Sequence, residues 1–141
     1  MITVRVPAKI NLMLRITGRR ADGYHLLGSV MQTISLYDTL RFDPLPPGRI
    51  ELRLHGHNDS LPTGEDNLIL RAARLVEMEA RARRQNVSGC RILLEKQIPI
   101  GAGLGGGSSD AAGTLIALNR LWRLEWPQEL LLQLAARLGA D

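Results

Sequence analysis

The stretch Pro99-Ile100-Gly101-Ala102-Gly103-Leu104-Gly105-Gly106-Gly107-Ser108-Ser109-Asp110 lies between a strand-like run and a helix-like run, and its reading decides the fold. Five glycines fall within the seven residues 101–107. Glycine permits positive φ and close backbone approach, so consecutive N–H groups can converge on one anion. The helix that follows adds its positive N-terminal end. Ser108 and Ser109 stand where loop becomes helix, and they offer a cap or hydroxyl donors there. A nucleotide triphosphate fits such a loop.

Other glycine-rich readings fit less well. No G-x-x-x-x-G-K-[ST] occurs, which excludes the usual P-loop. Gly101, Gly103 and Gly106 formally satisfy G-x-G-x-x-G, but Glu95, Lys96 and Pro99 precede them where a buried parallel strand should be apolar, and no strand-like run follows the helix. A flexible linker has no need of Ser-Ser at a helix start. Each glycine in a regular element also costs about 0.5–1 kcal/mol, so a function is the simpler account.

Outward from the loop, Arg91 to Gln97 reads as the strand leading into it. Ile2 to Val6 and Ile10 to Ile16 read as strands separated at Pro7, and Val30 to Leu36 and Thr39 to Phe42 as two more. Ile50, Leu52 and Leu54 alternate with Glu51, Arg53 and His55, the period of a half-buried strand. Thr63-x-x-Asp66 predicts a capping-box start for a helix running to about Arg84, with Leu68, Ala72, Leu75, Val76 and Ala80 on its apolar face. Beyond the loop, a helix from about Ser109 to Leu121 has Ala112, Leu115, Ile116 and Leu118 for packing. A last helix starts near Pro127 and ends before Gly139. Strands first, then helix, strand, loop, helix and helix predict an α+β domain, a mixed sheet with helices packed on one face.

The composition fits one domain. With 141 residues, 45% hydrophobic and 23% charged, the chain reads as globular rather than disordered. No apolar run reaches the roughly 18 residues of a membrane span, and the N-terminus lacks a signal pattern, so a cytoplasmic setting is expected. The single cysteine, Cys90, excludes an intramolecular disulfide and reads as strand packing. The net charge of +4 and pI near 10.0 invite a nucleic-acid reading. Against it, the arginines are scattered, and Arg81, Arg83 and Arg84 close a predicted helix, where cations complement the dipole. Only two lysines, Lys9 and Lys96, stand against 16 arginines, which marks both as places where a compact ammonium is wanted. His55-Gly56-His57-Asn58-Asp59 signals no third ligand and is not read as a metal site.

Pro7-Ala8-Lys9-Ile10-Asn11-Leu12, Ala21-Asp22-Gly23-Tyr24-His25, Glu65-Asp66-Asn67-Leu68-Ile69 and the glycine loop together resemble the GHMP kinase superfamily. The resemblance covers the whole chain, and residues 1–141 correspond to about the N-terminal half of such an enzyme. It implies the fold of the GHMP kinase N-terminal, ATP-binding domain, which is similar to a ribosomal-protein domain. It further implies that a ferredoxin-like C-terminal half is absent from this chain, and the face so left open predicts self-association or a homodimer.

The implied activity is transfer of the γ-phosphoryl of ATP to the 2-hydroxyl of 4-diphosphocytidyl-2-C-methyl-D-erythritol, in non-mevalonate isoprenoid precursor synthesis. By the same resemblance Asp141 is the candidate base and Lys9 the ammonium that keeps it ionised and favours the developing charge. Asn11, Tyr24 and His25 belong to the acceptor site. Asn67, Leu68 and Lys96 line the adenosine end, with Lys96 reaching toward a phosphate. Pro99, Gly101, Gly103, Leu104, Gly105, Gly106, Gly107, Ser108 and Ser109 hold the phosphates. Mg2+ arrives with ATP and touches the Ser108 hydroxyl, with Asp110 a weaker contact. The expected partner is that small molecule, with no nucleic acid and no membrane. Two alternatives stay open: a GHMP kinase for another small alcohol, and an inert nucleotide- or RNA-binding fragment.

Overall fold

The computed structural model describes residues 1–19, 25–55, 64, 66–99 and 105–139, with backbone alone over 10–19 and 25–32. Strands β1 (Ile2–Arg19), β2 (His25–Leu45), β3 (Ile50–His55) and β4 (Gly89–Glu95) form one sheet in the order β1-β2-β4-β3. β1 and β4 run antiparallel to β2, whereas β3 pairs parallel with β4. A parallel pair needs a long crossover, and helix α1 (Leu68–Ala82) lies within it. Helices α2 (Gly106–Leu121) and α3 (Gln128–Leu138) complete the chain.

Register explains the two faces of the sheet. Val4, Leu40, Leu94 and Leu54 form one cross-strand row, and Ile2, Phe42, Ile92 and Leu52 form the next. Leu40, Phe42, Ile92 and Leu94 are fully buried. Alternate positions carry Thr3, Arg5, Arg41 and Arg53 on the opposite, exposed face, so helices cover one side only. On that outer face the Arg5 guanidinium lies 4.1 Å from the Tyr37 ring centroid. α1 packs on β3 and α2 on β1 and β2, while α3 rests on both helices.

The strand boundaries differ from expectation. Ile2 to Ile16 form one continuous strand across Pro7, because β1 is an edge strand and its register shifts between Pro7 and Lys9. At an edge, proline's missing N–H costs no ladder bond. β2 likewise runs unbroken through Tyr37 and Asp38. The start of α1 is capped by Asn67, whose Oδ1 accepts the Ile69 N–H at 2.8 Å, and Thr63 of the expected capping box lies outside the described residues. α2 starts at Gly106, earlier than Ser109, so its buried face is Ala111, Gly113, Thr114, Leu115, Ala117 and Leu118. Ala112 and Ile116 point outward instead.

Cys90 is fully buried in β4, and burial pushes its thiol up to about 12, as packing rather than nucleophilic use requires. Where α2 crosses β1, a Cβ on Gly113 would stand 2.5 Å from Val6 Cγ1. Gly113→Ala is therefore expected to destabilise the fold by about 1–3 kcal/mol, overpacking outweighing the gain in helix propensity. A urea midpoint unchanged or raised in that variant would show that α2 can shift away from β1 at little cost.

Candidate active site

The start of α2 draws together three separate parts of the chain. A Cβ on Gly105 would lie 2.9 Å from Lys9 Cε, one on Gly106 2.7 Å from Lys96 Nζ, and one on Gly107 3.6 Å from Leu68 Cδ1. Lys9 comes from β1, Lys96 from the exit of β4 and Leu68 from the first residue of α1. Gly105 has φ 71°, a left-handed conformation that glycine adopts more freely than other residues. The first intrahelical bond here is Ser109 N–H to Gly105 O at 2.9 Å. The N–H groups of Gly106, Gly107 and Ser108 therefore precede the helical ladder and are available to an anion.

Neither serine caps the helix, and the N-cap is Gly105 itself. Ser109 Oγ instead donates to the Pro7 carbonyl at 2.9 Å, fastening α2 to β1 two residues before Lys9. Ser108 is half-buried beside an apolar cleft lined by Leu68, Ala112, Leu115, Ala135 and Leu138.

Beneath this turn lies a buried ion cluster. Lys96 Nζ donates to Asp38 Oδ2 at 2.6 Å and to Asp110 Oδ2 at 3.0 Å, and the Lys96 side chain is only 5% exposed. Asp38 Oδ1 accepts the Gln97 and Ile98 N–H groups at 2.7 and 2.8 Å. Burial alone would raise the Asp38 pKa. Hydrogen bonding from Asp110, the Ile98 N–H, Lys96 and the Gln97 N–H overcomes it and leaves Asp38 below the usual carboxylate range. Asp110 has the opposite balance: burial and hydrogen bonding to Asp38 push it up to about 8. Its Oδ1 is buried without a hydrogen-bond partner.

Two of the expected ligand contacts are residues of this cluster. The Lys96 ammonium is engaged between the two aspartates. The Asp110 side chain is turned inward onto it. Of the remaining site residues, Lys9 is half-buried at the cradle, Pro99 is exposed, and Asn67, expected at the adenosine end, is the α1 cap. Asn11 pairs with Met31 and His25 with Arg19 in the β1–β2 ladder, by backbone. Tyr24, Gly101, Gly103, Leu104 and Asp141 lie outside the described residues, as do Gly56 to Asp59. Among the described residues no group of three or more His, Cys, Asp or Glu is placed to hold a metal ion. Asp38 was missed altogether, its only sequence signal being an acidic residue inside an otherwise strand-like run.

A glycine turn at a helix start, on an α+β scaffold, is the arrangement of an anion-binding α+β domain. Residues 67–141 match the family of GHMP kinases N terminal domain, and the chain belongs to that family. At finer resolution, it is 52% identical over 138 residues to the 4-diphosphocytidyl-2-C-methyl-D-erythritol kinase of Methylibium petroleiphilum, an alignment covering 98% of this chain and 45% of that protein. It is 50% identical over 142 residues to the protein of the same name in Synechococcus sp. (strain CC9902), covering 100% of this chain and 44% of the relative. A crystal structure of 4-(cytidine 5'-diphospho)-2C-methyl-D-erythritol kinase superposes with a TM-score of 0.77 at 45% identity, over 99% of this chain and 47% of that one. The chain thus spans about half the length of the relatives it matches. Among the described residues no helix is long and apolar enough to cross a membrane.

Proposed function

We propose that this chain is the nucleotide-binding portion of a cytoplasmic enzyme. That enzyme transfers the γ-phosphoryl of ATP to the 2-hydroxyl of 4-diphosphocytidyl-2-C-methyl-D-erythritol, a step in making isoprenoid precursors. The observation that carries the reading is the convergence of Lys9, Lys96 and Leu68 on the successive glycines Gly105, Gly106 and Gly107. The names and identities of the relatives support the choice of acceptor.

The residues present fit a triphosphate. Added Cβ atoms would run into the Lys9 stem at Gly105 and into Lys96 and Ile98 at Gly106, so only glycine lets the helix start sit this close to the residues beneath it, with its free N–H groups left for an anion. The N–H groups of Gly106, Gly107 and Ser108 hold phosphate oxygens, and the cleft beside Leu68 and Leu115 takes the flat base. ATP with its Mg2+ supplies the transferable phosphoryl group and neutralises charge on it, and among the described residues the Ser108 hydroxyl is the group offered to the ion.

Lys9, its stem lying across Gly105, brings a cation to the edge of the cradle where negative charge develops. Asp141 receives the acceptor's proton, and Asn11, Tyr24 and His25 orient the acceptor.

The test is ADP release from Mg-ATP by the full reading frame, with and without the cytidyl acceptor. Release should depend on that acceptor, disappear in Asp141→Asn, and be absent from the 141-residue chain alone. Equal release with homoserine or mevalonate in its place sinks the acceptor assignment.

A further inference from the structure

The glycine loop leaves the sheet just after β4 and returns at Gly105, and both of its ends are tied to the same buried ammonium. On the outgoing side, Asp38 Oδ1 holds the Gln97 and Ile98 N–H groups at 2.7 and 2.8 Å while Oδ2 takes Lys96 Nζ at 2.6 Å. On the returning side, Lys96 Nζ reaches Asp110 Oδ2 at 3.0 Å, about one turn into α2. A methyl placed on Gly106 would stand 2.7 Å from that ammonium, so the charge lies directly under the first residue of the helix. We propose that Asp110 is a positioning residue for nucleotide: with Lys96 and Asp38 it forms a clamp that sets the spacing between the two ends of the phosphate-binding loop. The proposal rests on the reading above that this loop holds nucleotide phosphates.

Simple adhesion of α2 to the sheet does not require these charges. α2 already buries Ala111, Leu115, Ala117 and Leu118, and apolar side chains there would hold it without the desolvation cost of three ionisable groups. Charge-assisted hydrogen bonds add a short, fixed distance and direction, which apolar contact lacks. With side-chain exposures of 5%, 0% and 4% for Lys96, Asp38 and Asp110, water cannot substitute for any of the three partners.

The two carboxylates are not equivalent. Asp38 accepts three hydrogen bonds from nitrogen donors, whereas Asp110 accepts one from Lys96 and buries Oδ1 with no nitrogen donor beside Asp38, the environment of a neutral acid. The upward shift of Asp110 agrees with that assignment. Asparagine is then its neutral isostere: the amide oxygen can take the Lys96 bond, while alanine cannot.

Isothermal titration of Mg-ATP and steady-state kinetics on the full reading frame, as parent, Asp110→Ala and Asp110→Asn, test the clamp. Asp110→Ala should raise the Kd and KM for ATP about tenfold, the loss of one hydrogen bond to a charged group, with the acceptor KM moving less than about threefold. Asp110→Asn should return the ATP Kd to within about threefold of the parent. A lowered Tm with the ATP Kd unmoved overturns the proposal, as does an asparagine variant as weak as alanine or an equal rise in both KM values. The Kd comparison does not depend on turnover, so failure of the acceptor assignment is read separately from failure of the clamp.

Discussion

Asp38→Ala lowers the stability of this fold by about 3–5 kcal/mol, the range for removing one partner of a buried ion pair. The substitution takes the carboxylate from Lys96 and leaves an ammonium whose side chain is 5% exposed facing only Asp110, itself held toward its neutral form. It also strips the Gln97 and Ile98 N–H groups of their acceptor. The Ile98 donor is buried and carries a desolvation penalty of its own, about 1–3 kcal/mol. Asp43 provides the contrast. It pairs with Arg41 at 3.2 Å, but the two side chains are 53% and 35% exposed for Arg41 and Asp43. Asp43→Ala should then cost no more than about 1 kcal/mol. Urea unfolding of both variants at one pH, with unchanged m, gives the comparison. Similar losses in the two would mean that the cluster under α2 is no more than a surface-grade ion pair.

Lys9→Met is the substitution with the largest expected effect on turnover. Methionine keeps an unbranched stem to pack across Gly105 and removes only the ammonium. If the Lys9 ammonium meets charge that grows during phosphoryl transfer, kcat should fall about 10²–10³-fold, as for loss of one donor aimed at developing charge. The Kd for Mg-ATP should change far less, because the backbone N–H groups of Gly106 to Ser108 remain. Single-turnover kinetics and nucleotide titration on the full reading frame separate the two quantities. A kcat within about threefold of the parent would remove Lys9 from the chemistry.

Much of the architecture was legible from local pattern. The alternation at Ile50 to His55, the helix over Leu68 to Ala82 and the helix after Pro127 follow from short-range periodicity, and all three elements are present. The strands around Pro7 and Asp38 were read as broken because both residues disfavour a ladder in isolation. Edge position relieves the first, and three hydrogen-bond donors satisfy the second. Neither circumstance is local. The buried face of α2 differs from the expected one for a related reason: it is set by what packs on the helix, with Gly113 against Val6 and Leu40 of the sheet.

By itself the sequence determined that a glycine-rich turn enters a helix, that β1 carries Lys9 beside a proline, and that one of only two lysines precedes the loop. Those features suffice for an anion-binding turn, because backbone freedom and helix polarity depend on neighbouring residues alone, and the class of protein came from the resemblance carried by several motifs together. Only the tertiary structure decided where the Lys96 charge goes. Asp38, 58 residues away, and Asp110, on the far side of the loop, meet it in a space closed to water. In that space an ammonium is held by the partners the fold provides, and at the described positions those partners are the side chains of Asp38 and Asp110.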